Sequence, residues 1–136
     1  MRAASLPGPE HVEVADLLLE RASGDLAALR ILGADQSQAD HVVGFHAQQA
    51  VEKSLKAALV MLEVEIPRTH ELAYVLSLLE DAGVDLPKEV AGVESLTPWA
   101  GGLRYDEVAP RIDREDVMAL AEAAFSWARC LVDAAG

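Results

Sequence analysis

Apolar residues recur along this chain at steps of three and four, the spacing that lines one side of an α-helix. Val12, Ala15, Leu18, Ala22, Leu26, Leu29 and Leu32 form the first run, which starts near Glu10 and meets a natural stop at Gly33. Pro7-Gly8-Pro9 cannot continue a helix, whereas Glu10, Glu13 and Asp16 suit the positive end of one. Residues 1–9 therefore read as a flexible tail and residues 10–134 as one helical domain. A polar connector, Ala34 to Gln38, leads to a second helix from about Ala39 to Glu63, ended by Pro67. Thr69 is placed to cap a third helix reaching Ala82, with Leu72, Val75, Leu76 and Leu79 facing inward and Gly83 closing it. Proline and glycine concentrate in residues 84–112, which predicts a short helix near Pro87 to Leu96 and then an irregular loop. Asp113-Arg114-Glu115-Asp116 resembles a capping box and opens a last helix carrying Val117, Leu120, Ala121, Ala124, Trp127, Ala128 and Leu131. The pattern predicts an all-α protein, an up-down four-helix bundle with an additional short helix between the third and fourth main helices.

The second helix differs from its neighbours. At 100° per residue, Ala57, Ala50, Val43, Met61, Ala47, Ala58, Val51, Leu62, Leu55 and Leu59 fill an apolar arc of roughly 200°, which marks a central helix. The remaining sector holds His46, Gln49, Lys53 and Lys56 within roughly 80° of one another. Val42 and Val60 close the two ends of this stripe, where a solvated face would more often carry charge. Three readings stay open on spacing alone: a solvated face, a groove for phosphate or base, and a subunit-facing surface.

Composition narrows the function classes. Alanine and leucine abound and aromatic residues make up only 4%, which favours helices over sheet. The formal charge of −12 excludes a general electrostatic grip on nucleic acid or an anionic membrane, so any nucleotide contact must be local. Between His41 and Leu62 one acid, Glu52, faces two lysines, so the second helix reads as locally basic in an acidic chain. A single cysteine, Cys130, rules out an internal disulfide, and it reads as a core or interface thiol. No zinc-ligand spacing and no Glu-x-x-His pair occurs, so no metal and no cofactor is expected. The Asp106, Glu107, Asp113, Glu115 and Asp116 cluster reads as a solvated loop and helix start. The first nine residues carry no apolar export segment and no run approaches a membrane span, which points to a cytoplasmic protein without a membrane partner.

The string FHAQQAVEKSLKAAL (Phe45 to Leu59) resembles the signature helix of the HEPN family, the higher eukaryotes and prokaryotes nucleotide-binding domains. Pro67-Arg68-Thr69-His70-Glu71-Leu72 is similar to the family's Pro-x-Thr-His-x-Leu turn, and Leu103-Arg104-Tyr105 to its Arg-Tyr element before the last helix. The resemblance spans roughly Ala39 to Val132. It implies a helical bundle, usually homodimeric, that often pairs with a minimal nucleotidyltransferase as toxin and antitoxin or as a nucleotide-handling module. By the same resemblance His46, Gln49, Lys53 and Lys56 on the helix, with His70, Arg104 and Tyr105 from neighbouring segments, are candidates to handle a nucleotide or a short RNA.

Many members of that family are metal-independent ribonucleases with an Arg-x(4–6)-His motif, whose arginine holds phosphate while the histidine transfers protons. Here Arg30 precedes His41 by 11 positions and Arg68 precedes His70 by two, so the motif is lacking. The expectation is a binding module rather than an enzyme. A ribonuclease using His46 or His70 with Arg104, and a purely structural oligomerisation module, are the alternatives. Dimerisation is expected through Val42, Phe45 and Val60 beside the stripe. Trp99 and Tyr105 read as anchors of the glycine-containing loop, with Arg104 left to meet phosphate or an acid.

Overall fold

The computed structural model describes residues 8–100 and 112–135. Pro9–Ala34 forms α1, Asp40–Met61 α2, Leu72–Asp81 α3, Lys88–Ala91 the single turn α4, and Arg114–Ala135 α5; a 3-10 segment, Gly92–Trp99, follows α4 directly. No strand occurs among the described residues, and none of their helices is long and apolar enough to cross a membrane. The predicted elements are present within one or two residues at most ends. The expected short helix is instead one α turn that tightens into 3-10 geometry, with Pro98 inside it. The expected tail to residue 9 and the loop carrying Arg104, Tyr105 and the acids Asp106 and Glu107 fall largely or wholly outside the described residues.

α2 is the central helix, packed by α1, α5, α3 and the 3-10 segment. Nine of the ten positions assigned to its apolar arc are buried, and Leu62 is half-buried at the helix end. The larger core joins Leu26 and Leu29 of α1 to the α2 arc, to all four inward leucine and valine positions of α3, and to Val117, Ala121 and Ala124 of α5. A smaller core brings the start of α1 (Ala15, Leu19) to the ends of α2 (Ala57, Val60, Met61) and α5 (Ala128, Val132). α1 therefore runs antiparallel to both α2 and α5.

The smaller core corrects two expectations. Val60, expected at an exposed dimer face, is buried because the first turns of α1 and the last turns of α5 close over that end of α2. Cys130 is exposed and so lies outside the core half of its expected role, because Ala128 and Val132 take the inward phase of α5. The cap of α3 also differs. Thr69 Oγ1 accepts the Glu71 N–H at 3.1 Å and so ties the preceding turn, while the Leu72 N–H at the helix start is met by Thr97 Oγ1 of the 3-10 segment, also at 3.1 Å. Asp113 caps α5 as its sequence suggests, accepting the Asp116 N–H at 3.1 Å. Gly83, with φ +89°, ends the α3 segment in a conformation that side-chain-bearing residues rarely adopt.

One close approach fixes the 3-10 segment. The Trp99 indole lies against the backbone of α2 at Gly44, where an added Cβ would come within 2.5–2.8 Å of three indole carbons. Trp99 thus anchors the chain at the edge of the loop, as its sequence context suggests. Gly44→Ala is expected to displace the indole and lower stability by about 2 kcal/mol, the usual cost of overpacking a filled core. A urea unfolding midpoint unchanged from wild type would contradict this contact.

Candidate functional site

Asp25 enters the α2 stripe from α1. It sits on the edge of the α1 apolar face between buried Leu26 and exposed Gly24, which turns its carboxylate toward α2. Asp25 Oδ2 accepts from Lys53 Nζ at 2.5 Å and Oδ1 accepts from His46 Nδ1 at 3.1 Å. The His46 ring also meets the Phe45 ring edge to face, with centroids 5.6 Å apart. Beside Lys53 on α2, Glu52 organises a second group. Its Oε1 accepts from buried Gln48 at 2.8 Å and from His70 Nδ1 at 2.7 Å, and its Oε2 accepts from Lys56 Nζ at 3.1 Å.

The glutamines extend the Glu52 group and make no hydrogen bond to the Asp25 group. Gln49 donates to Gln48 Oε1 at 2.7 Å, and Gln48 Nε2 reaches the His70 carbonyl at 3.4 Å. Lys56 additionally donates to the Thr69 carbonyl at 3.0 Å, so the stretch from Thr69 to His70 is stitched to α2 by side chains from both sides. Every buried side-chain nitrogen and oxygen among the described residues has a partner, as a buried polar network requires.

Burial alone would raise the Glu52 carboxyl above its ordinary value. The hydrogen bonds from Gln48, His70 and Lys56, with the Lys56 charge, outweigh that cost and hold it below. Glu52 is therefore an anion that fixes its neighbours rather than a proton donor. Both histidines meet a carboxylate through Nδ1, which fixes the ring and places a proton on that nitrogen. Among the described residues no partner meets either Nε2. His70 is the most open of the set, its side chain 66% exposed, while His46 and Lys53 are half-buried.

Five of the seven residues singled out from the sequence thus fall in two neighbouring groups along α2, His46 and Lys53 on Asp25, and Gln49, Lys56 and His70 around Gln48 and Glu52. Arg104 and Tyr105 lie outside the described residues. The expectation of a locally basic stripe needs correction, since Asp25 neutralises Lys53 and Glu52 neutralises Lys56. The two lysines and two carboxylates of the row thus balance. Three residues were missed. Gln48 and Glu52 are signalled by the Gln48, Glu52, Lys56 spacing of four, a run of hydrogen-bonding neighbours on one helix face. Asp25 had no such signal, because its partners lie 21 and 28 residues away. Among the described residues no group of three or more His, Cys, Asp or Glu is arranged to hold a metal ion.

A helical bundle whose central helix carries a row of amides, histidines and paired ions is the class of protein this fold and row define. The model of the HEPN domain matches residues 15–131, most of the chain, and the protein belongs to the HEPN domain family. No curated protein and no solved structure gives a significant match.

Proposed function

We propose that residues 10–134 act as a HEPN-type binding module that dimerises and engages a nucleotide, a minimal nucleotidyltransferase partner, or both, as in a toxin–antitoxin pair of cytoplasmic proteins. The observation that carries the reading is the row of His46, Gln49, Lys53, Lys56 and His70, preorganised by Asp25 and Glu52. The Nε2 atoms, which no described residue meets, and the two lysines offer hydrogen bonds to a phosphate or base edge. Arg104 and Tyr105 are the further candidates to complete the site, as phosphate contact and stacking group. The balanced charge of the row favours a ligand no larger than a mononucleotide or short RNA, since the rest of a chain at −12 repels a long phosphate backbone.

Titration of nucleoside mono-, di- and triphosphates against wild type, Lys53→Glu and Lys53→Met tests the reading. Loss of the lysine is expected to weaken binding at least tenfold in both variants, with helical content unchanged by circular dichroism. Equal binding by all three proteins removes the row from nucleotide recognition.

The carboxylate-held histidines also favour a second reading, a ribonuclease in which His70 or His46 transfers protons through Nε2. Purified protein is then expected to cleave RNA and to lose that activity in His70→Ala and His46→Ala. Intact RNA after prolonged incubation eliminates it.

A further inference from the structure

The largest exposed apolar side chains of α1 fall on one heptad line that takes no part in the core. Val14, Leu17 and Ile31 are 45%, 47% and 72% exposed, and Arg21, Gly24 and Ala28 fall between them at alternating steps of three and four. This is the a/d spacing of a helix that packs along a second helix. The line lies beside, not among, the inward positions Ala15, Leu19, Ala22, Leu26 and Leu29, and clear of Asp16 and Arg30, which pair with Arg129 and Glu122 of α5. Nothing lies within 4 Å of a Cβ built on Gly24, so the helix backbone is open there to a close neighbour.

We propose that this line is the contact between two copies of the chain, with α1 of one copy antiparallel to α1 of the other. The dimer of the proposed function is the premise, and the surface and register are new. The line is self-complementary about a twofold axis between residues 22 and 23. Val14 then meets Ile31 of the second copy, Leu17 meets Ala28, and Arg21 meets Gly24. Large side chains thus oppose large or small ones, and the one long charged side chain faces the one residue that has none. Arg21 over that glycine is within reach of Glu20 of the second copy, which supplies opposite charge twice, once on each side of the axis. The flanking acids do not collide, since in this register Glu20 lies opposite Ala27 and Asp25 opposite Leu18 of the second copy. No other antiparallel register pairs all six positions.

Disulfide trapping reads the register directly. In a Cys130→Ser background, which removes the native thiol, Leu17→Cys and Ala28→Cys are made singly and together. All three sites are exposed or half-buried, and circular dichroism checks that each variant folds. In the proposed pairing, position 17 faces position 28, while like positions are about 16 Å apart along the axis, too far for a disulfide. A mild oxidant is expected to convert the double variant to a covalent dimer and to leave both single variants uncrosslinked. A dimeric mass in solution with no covalent dimer from the double variant, or with crosslinks in a single one, overturns this surface and leaves the dimer itself standing. A monomeric mass at micromolar concentration overturns both.

Discussion

Replacing Glu52 by alanine is expected to cost about 3 kcal/mol of folding stability, in the range measured when one partner of a buried ion pair is removed. For a chain of this size that corresponds to a fall in Tm on the order of 10 °C. The argument rests on what the carboxylate leaves behind. Lys56 keeps only the Thr69 carbonyl, His70 loses the acceptor that fixes its ring, and fully buried Gln48 loses its shortest acceptor. An unsatisfied buried donor costs more than the hydrogen bond contributed. Glu52→Gln keeps the volume and one carbonyl oxygen, but it sets an amide NH2 against Lys56 or His70, so its cost is expected to fall between the two.

The pH dependence follows from the direction of the Glu52 shift. Its carboxyl lies below the ordinary value of 4.5 in the folded protein, so the unfolded chain takes up the proton more readily. The stability it contributes is complete above about 4.5 and is lost as pH falls from there through the lower folded value. In Glu52→Gln that part of the acid limb is absent, and a plot of unfolding free energy against pH is expected to run flatter below 4.5 than for wild type. Parallel curves would show that Glu52 is not held as a fixed anion.

The periodicity of apolar residues was enough to place the four long helices, because a 3.6-residue repeat depends only on neighbours within one element. The central role of α2 was legible for the same reason, since an apolar arc of roughly 200° has to be covered from several sides. What stayed out of reach depends on contacts between distant segments. Asp25 is an ordinary helix acid until the antiparallel packing of α1 on α2 sets it between His46 and Lys53. Thr97 caps α3 from 25 residues away, and so displaces Thr69 from the role its position suggests. Gly44 did leave a trace: a glycine inside an otherwise strong helix pattern points to a close approach, and Trp99 is what approaches. The candidate row was half legible. His46, Gln49, Lys53 and Lys56 follow from helix phase, whereas the acids that neutralise the lysines and orient the histidines follow only from packing and from the buried Gln48–Glu52 pair.

Arg114→Ala is expected to cost about 3 kcal/mol, comparable to losing Glu52, although the sequence presents this residue as one member of an acidic helix start. A cation in the first turn of α5 opposes the dipole of its own helix, so local electrostatics cannot account for it. Its guanidinium instead reaches the far end of α1. Nη1 donates to the carbonyls of Leu32, Gly33 and Asp35 at 3.3, 3.2 and 2.9 Å, and Nη2 donates to the Gln38 carbonyl at 2.6 Å. Nε and Nη2 both meet Asp40 Oδ1, at 3.3 and 3.0 Å. The cation therefore sits at the negative end of α1 and satisfies carbonyls that a helix end leaves open. One side chain thereby fastens the end of α1, the connector and the start of α2 to the start of α5. Water can replace part of this in a half-buried site, which keeps the expected cost near that of two charge-assisted bonds rather than six. Arg114→Lys is expected to recover less than half of it, because an ammonium has three donors on one atom and cannot span five acceptors. Urea unfolding of the two variants measures both quantities, and a lysine variant as stable as wild type would show that charge alone, not the forked geometry, secures this end of the bundle.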